Sequence, residues 1–367
     1  MAAGEYKVQY CIIGAGIAGL SLADTLRDRG RSVAVVEKRG IASGASGTPG
    51  GLVNPATGYR GTKAWKAEAC YQAVLKNLEK IQRHSESRFF RQNGVLRPAL
   101  TDKMARVMRK QFDKTPWQEG WCRWLSPEEI KERHPGINCV GGGLWVPVGM
   151  TVDVAEYLHT LAHYLTSRDV PILTGATPAI QHASHWNIQA GSAGVTAEHL
   201  VFATGYETAS HSYWKNLPLH PVKGQVACFE ADEELLSFPH SVSSLGYIAR
   251  SGKPNRFVQG STYEHHFGHT APDEYGAEYL RNRLRRTLPQ LAEKARLISQ
   301  WSGVRASTPN KKPVLGRHKD IPNLHVFTGL GSKGLLYGKY LAEHYADHLL
   351  EGVPVYKSVS VERFYGE

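Results

Sequence analysis

A chain of 367 residues, 41% hydrophobic and 21% charged, is too long for one small core and too apolar to be disordered, which leaves one large α/β unit or two interlocked lobes. Lys and Arg (44) outnumber Asp and Glu (33), giving a net charge of +11 that favours anionic partners: nucleic acid, phosphates or small acids. There is no apolar run of membrane-spanning length, no basic leader before the apolar N-terminal segment, and no CxxC pair among Cys11, Cys70, Cys122, Cys139 and Cys228, so the expectation is a soluble, reduced, cytoplasmic protein with no membrane contact.

In chain order, residues 8–13 predict a strand, 16–29 a helix and 32–37 a second strand, with Gly30 where a helix C-cap belongs. A loop rich in Gly, Ser and Pro follows, GIASGASGTPGGLVNPATG, and a helical pattern then runs from Thr62 to about Arg83. Between Phe89 and Pro147 the chain mixes short strands, Trp-rich turns and the helix start LSPEEIKE. TVDVAEYLHTLAHYLTSR predicts a helix, and LTGATPAIQHASHWNIQAGSAGVTAEHLVFATG predicts short strands with turns. A β-rich stretch from about Pro221 to Tyr263 precedes the basic segment LRNRLRRTL. There Leu280, Leu284, Leu288 and Leu291 form an apolar stripe at helical spacing, and Arg281, Arg283, Arg285 and Arg286 fall largely outside it, as on a solvated face. The chain closes with a strand over 324–328, a second glycine turn and a helix from about Ser332 to Leu350. Glycine turns at both ends imply a nucleotide domain assembled from distant segments, with a second lobe between them.

Gly14, Gly16 and Gly19 form GxGxxG between a strand and a helix. The first permits a tight turn, the second lets a pyrophosphate approach the backbone, and the third lets helix and strand pack closely. Glu37 ends the second strand, placed to hydrogen-bond ribose hydroxyls and to repel the extra phosphate of NADP. Three further stretches resemble flavoproteins: HLVFATG their strand-to-turn segment beside the adenosine half of FAD, GASGTPGGLVNPATG their loop past the pyrophosphate and ring, and VFTGLGSKGLLYGKYLAEHYADHLL their C-terminal unit. In that unit a helix N-terminus lies against the flavin, and its dipole and N–H groups stabilise negative charge there.

With LWVPVGMTVDVAEYL, PVKGQV, VQGSTYEH and WSGVRASTPNKKPVLG added, nearly the whole chain resembles the D-amino-acid oxidase family of FAD enzymes. Within it the chain looks closest to the glycine and sarcosine oxidase branch, and it is similar to the oxidase half of a bifunctional tRNA 5-methylaminomethyl-2-thiouridine biosynthesis protein. The resemblance implies an α/β fold with an α+β substrate lobe: a Rossmann-like FAD-binding domain interleaved with a mixed β-sheet substrate domain. Residues 1–85, 146–220 and 300–367 would form the former, and 86–145 and 221–299 the latter. It places FAD on Gly14, Gly16, Ile17, Ala18 and Gly19; on Glu37, Lys38 and Ser46; on Gly50, Gly51 and Leu52; on Thr204 and Gly205; and on Gly329, Gly331, Ser332, Lys333, Gly334 and Leu335. Some relatives attach flavin through a C-terminal cysteine, but none follows Cys228, so FAD is expected to be non-covalent. No room is left for the methyltransferase half of the bifunctional enzyme.

The implied reaction takes a hydride from the carbon next to an amine, leaving an imine that water hydrolyses. It needs an anchor for the substrate carboxylate, and a guanidinium fork suits that. Arg305, in WSGVRAST, matches the family anchor, and Lys333 matches a position near the flavin. Tyr263, His265 and His266 follow the VQGST strand, and alternation turns at most one of the two histidines inward. No carboxylate or cysteine stands at ligand spacing from them, so no metal site is expected. Tyr59 and Arg60 lie just past the glycine loop, while Trp117, Trp121, Trp124 and Trp145 suit core or interface packing. The expected substrate is a small amine or amino acid, an N-substituted glycine above all. Two alternatives keep the same cofactor: a carboxymethylaminomethyl group on tRNA, making tRNA a candidate partner, or a 2-hydroxy acid, with His265 or His266 as base.

Overall fold

The first strand, Glu5–Ile13, alternates between two covered faces: Tyr10 and Ile12 point to one side, and Val8, Cys11 and Ile13 to the other. Such a strand needs neighbours on both edges and helices or hairpins on both faces. A computed structural model, which describes residues 4–250 and 252–365, supplies them. Val33–Glu37 lies parallel on one edge, followed outward by Ile172–Thr174, and Ala193–Phe202 lies parallel on the other. The far edge of that long strand is shared. Its first half pairs antiparallel with Trp186–Ala190, and its last residues, Leu200 to Phe202, pair parallel with Leu324–Thr328. The two ends of the chain thus meet in one eight-stranded sheet.

Four helices cover one face of this sheet: Ile17–Asp28, Ala67–Gln82, Val154–Thr166 and Gly334–Glu351. Leu20, Leu26, Leu78, Leu161 and Leu341 are fully buried among them. The helix interface also encloses charge. The Asp24 carboxylate, wholly buried on the first helix, accepts hydrogen bonds from Lys339 Nζ (2.6 Å) and Lys80 Nζ (2.7 Å). Arg31 N–H, one residue past Gly30 (φ +74°), closes the first helix on Leu26 O, the left-handed ending that glycine favours.

A second eight-stranded sheet runs Arg296–Ser307, His220–Glu230, Arg256–Gly260, Tyr247–Arg250, Ser241–Ser243, Val95–Pro98, Gly143–Val146 and Arg123–Leu125. It is mixed, because Val95–Pro98 and Ser241–Ser243 pair parallel while the other pairs are antiparallel. Helix Glu274–Thr287 packs Leu280 and Leu284 against Phe229 and Phe257 of this sheet. We propose that the chain divides into two lobes along the two large sheets, the strand Arg296–Ser307 belonging wholly to the second; the boundary expected at residue 300 falls inside it.

Two local expectations are corrected. The second helix begins at Ala67, not Thr62, because Thr62–Lys63 pairs back on Ala56–Thr57 and Lys66 adopts a left-handed conformation at the helix start. The basic segment is not a uniformly solvated face. The helix ends at Thr287, ahead of Pro289, and Arg281 and Arg283 turn inward: Arg281 donates to Ala292 O and Ala295 O, and Arg283 to Leu245 O. Arg285 and Arg286 do stay exposed.

No described helix is long and apolar enough to cross a membrane. Replacing Lys339 with Met should cost about 3 kcal/mol of unfolding free energy, the low end for removing one partner of a buried pair, since Lys80 still faces Asp24. Denaturant melts of apo-protein check this, and an unchanged midpoint would refute the role given to the pair.

Candidate functional site

The strands of the first sheet end at a cavity of about 1230 Å³ that continues under the second sheet. At its first wall Gly14 takes φ +113°, and a Cβ there would lie 2.5 Å from Ala203 O, so only glycine lets the two strand ends close up. Gly16 faces Ser46 Oγ, 2.9 Å from where its Cβ would be, and Ile17 N–H donates to the same oxygen (3.1 Å). Gly19 lies behind the wall, its missing Cβ accommodating Gly14 O. Glu37 Oε2 accepts from Ala15 N–H (3.1 Å) and Oε1 from Arg39 N–H (3.0 Å). The carboxylate is thereby fixed beside the turn with acceptor capacity left over for hydroxyls. Lys38 pairs with Glu207 at 2.5 Å on the same rim.

Gly50 and Gly51 carry the backbone between the lobes. A Cβ on Gly51 would meet Leu335 Cδ1 at 2.8 Å, and Gly50 O accepts the Tyr247 hydroxyl at 2.6 Å. Thr328 Oγ1 donates to Gly205 O (2.8 Å), joining the HLVFATG turn to the C-terminal strand. Gly329 (φ +72°) and Gly331 (φ +55°) then bend the chain so that helix Gly334–Glu351 opens onto the cavity with no side chain capping its first turn. Those unpaired N–H groups make a seat for negative charge.

The other end of the cavity is cationic. Arg305 reaches it because Gly224, diagonal to it across the ladder, has no side chain; a Cβ there would land on the guanidinium. Nη2 donates to Ser261 Oγ (2.6 Å) and Nη1 to Thr262 O (3.2 Å), and the guanidinium sits 4.7 Å from the Tyr263 ring centroid. The Tyr263 hydroxyl reaches Ser332 Oγ at 3.3 Å, spanning the opening from one lobe to the other. Lys333, at the helix start, has its pKa lowered by burial and then by the nearby Lys311, so its charge is held at a cost that a bound anion would relieve.

All the expected cofactor residues except Gly19 line this one cavity, as do Arg305, Lys333, Tyr263, His265 and Tyr59. His266 and Arg60 do not, and neither do Trp117, Trp121, Trp124 and Trp145. Sequence reasoning missed Tyr247, Arg97 and Arg283, which line the cavity too. Burial pushes the Tyr247 hydroxyl up to about 12, so it stays a donor to Gly50 O. PVKGQV had drawn notice, but only the ladder register gives its glycine a job. Among the described residues no group of three or more His, Cys, Asp and Glu side chains is placed to hold a metal ion, and no cysteine lines the cavity.

A cradle built from strand ends, with glycines where a backbone must come close, an acid on the ribose side and helix N-termini for phosphate and ring, fits a dinucleotide. The profile of the DAO family, described as FAD dependent oxidoreductase, matches residues 9–348. The chain belongs to this family. It is an FAD-dependent oxidoreductase. It is 28% identical, over 97% of its length, to the tRNA 5-methylaminomethyl-2-thiouridine biosynthesis bifunctional protein MnmC of Idiomarina loihiensis, of which it covers 58%. It is 27% identical, over 93% of its length, to the bifunctional protein ThiO/ThiG of Nostoc sp., covering 52% of it. The chain therefore spans little more than half the length of these curated relatives. Among solved structures, glycine oxidase from Geobacillus kaustophilus superposes with a TM-score of 0.82 at 21% identity, over 95% of this chain and 96% of that one. This likeness shows the shared fold: a Rossmann-like FAD-binding part and a substrate part.

Glu37→Arg should lower FAD affinity about ten- to hundredfold, the span of a lost charge-assisted hydrogen bond plus a misplaced cation. The flavin-to-protein absorbance ratio of purified protein measures it, and a fully loaded variant would remove Glu37 from the cofactor site.

Proposed function

We propose that this enzyme oxidises the C–N bond of a small amine or amino acid, an N-substituted glycine being the class that suits the site, with FAD held non-covalently. The carrying observation is Arg305: a cavity-facing guanidinium, oriented by Ser261 and Thr262, that pairs with no carboxylate among the described residues. A fork so fixed and unpaired suits the carboxylate of an amino acid, binding both oxygens in one plane. Bound FAD would supply the acceptor for the hydride leaving the carbon next to the amine. The chain's own residues position that carbon and exclude water. Arg305 sets the carboxylate, and the Tyr263 ring covers the guanidinium and closes the opening toward Ser332. Tyr247 braces the Gly50 backbone. Gly303 and Gly224, opposite each other in the ladder, keep that wall thin. Lys333, with its lowered pKa, offers a second positive charge for an anion in the cavity. No side chain need take a proton from carbon, because a neutral amine leaves as an imine that water then hydrolyses. The 2-hydroxy-acid alternative asks for a base, and of the two histidines on the cavity wall His265 is exposed at its rim while His211 packs on Phe202 beside the Glu207 turn, at the ribose end.

A second reading keeps the chemistry and changes the carrier: the amine is a carboxymethylaminomethyl group on tRNA. The net charge of +11 and the similarity to MnmC proteins support it. Electrostatic tRNA binding would lose affinity steeply with added salt. A titration of tRNA at two salt concentrations tests it, and the absence of salt-sensitive binding would set this reading aside.

For the leading reading, Arg305→Ala should retain flavin while raising KM for the substrate about a hundredfold, the loss of a bidentate charged contact. Gly224→Ala should shift KM in the same direction by less, since its added methyl displaces a flexible fork rather than removing it. Anaerobic bleaching of the flavin band by N-alkylglycines measures both. Undiminished bleaching in the Arg305 variant would overturn the anchor.

A further inference from the structure

The cavity wall holds a second guanidinium that the reaction above leaves unused. Arg97, in the short strand Val95–Pro98, is 4% exposed and lines the cavity. Its Nη1 donates to Ser243 Oγ (2.9 Å) and its Nη2 to Gly58 O, and its Nε, buried, has no partner. No carboxylate among the described residues pairs with it. The Cys122 thiol acts on it electrostatically, and burial keeps that thiol protonated. Burial also lowers the Arg97 pKa to about 10. A buried cation with no counter-charge is expensive unless a ligand supplies one. Arg283, on the helix Glu274–Thr287, lines the same stretch of wall and donates to Leu245 O, two residues from Ser243. Among the described residues the only acids on the cavity wall, Glu37 and Glu207, stand at the ribose end beside Lys38.

The ladder fixes how far this cation stands from Arg305. Ser243 pairs with Tyr247, and Tyr247 with Gly260, the residue before the Ser261 that holds Arg305. Two strand spacings separate the two guanidinium supports by roughly 10 Å. We propose that Arg97 is a second anion subsite, and that the substrate is an amine with two acid groups: a carboxylate on Arg305 and, on the other arm of the nitrogen, a further carboxylate on Arg97. This rests on reading the cavity as a site of amine oxidation. The substrate class is thereby an N-(carboxyalkyl) amino acid with an arm several carbons long. A short symmetrical diacid would leave one fork unfilled.

The test has a binding arm and a reaction arm, both on the FAD-loaded protein. Calorimetry with azelate and nonanoate, equal in chain length to each other and to the N-(5-carboxypentyl)glycine used below, should show azelate binding about ten- to hundredfold more tightly, the span of a charge-assisted pair. Arg97→Lys should keep most of that preference and Arg97→Met should erase it, with the flavin-to-protein ratio reporting that each variant is folded. Equal binding of the two probes by the unaltered enzyme, or a preference that survives Arg97→Met, overturns the subsite. Flavin bleaching is then compared between N-(5-carboxypentyl)glycine and N-hexylglycine. A ten- to hundredfold higher kcat/KM for the acidic arm is expected. If both are oxidised with equal kcat/KM, the subsite falls and the amine-oxidation reading stands. If azelate is preferred through Arg97 but no N-substituted glycine bleaches the flavin, the subsite stands and that reading falls.

Discussion

The structure depends on a single close approach. Gly14 N–H donates to Val36 O (2.8 Å), Ala203 N–H donates to Ile13 O (2.8 Å), and the space where a Gly14 Cβ would sit is taken by Ala203 O. Three strands from two distant parts of the chain therefore end at one point, and a side chain there would wedge them apart. Everything that makes the cavity follows from this. The first helix starts at the turn, the Glu37 carboxylate folds back onto Ala15, and Thr204 and Gly205 leave the sheet toward Thr328. The buried Asp24–Lys339 pair then holds the first helix against the last one, so the two glycine turns face the same space.

How much of this was readable in the sequence varied with how local each cause was. The GxGxxG turn, its flanking strands and Glu37 are contiguous in sequence, and the chemistry of a pyrophosphate turn is visible in residue types alone. The C-terminal turn was readable for the same reason. Arg305 emerged through a family pattern, but what lets it reach the cavity is Gly224, about eighty positions earlier, and only the antiparallel register brings the two together. Arg97 left no trace at all. It sits in an ordinary apolar strand, and its partners Gly58 and Ser243 come from two other segments. The arginines of the basic helix misled because helical periodicity describes one element. Whether an arginine points to water or to a carbonyl depends on the loop packed beside it, as Leu245 is for Arg283.

The cavity is electrostatically polar along its length. Its acids, Glu37 and Glu207, stand at the end where ribose hydroxyls donate hydrogen bonds, and Arg97, Arg283, Arg305, Lys311 and Lys333 stand toward the other. Few of those cations have a carboxylate to face, and burial weakens the hold of Arg97 and Lys333 on their protons. Such an arrangement is unfavourable in the free protein. On the proposed reading neutralising it would disable the site: a carboxylate placed next to Arg305 would compete with the substrate's own. The free energy withheld from folding is returned when an anion binds, which is how a preorganised site gains affinity without further motion.

The same asymmetry separates the work of the two large sheets. In the proposed reading the cofactor meets strand ends and helix N-termini of the first sheet through backbone N–H groups, and the substrate meets side chains on the second sheet, whose strands space cations at fixed intervals. Arg305 stands near the C-terminal end of Arg296–Ser307, where that strand leaves its ladder for the C-terminal nucleotide unit, and Gly331 N–H donates to Ala306 O (2.9 Å) one residue further on. The proposed carboxylate anchor is thus one residue from a backbone contact to the second glycine turn. On that reading a change of substrate would be accommodated along the second sheet, by exchanging residues such as Arg97, while the anchor stays tied to that turn by a short stretch of main chain.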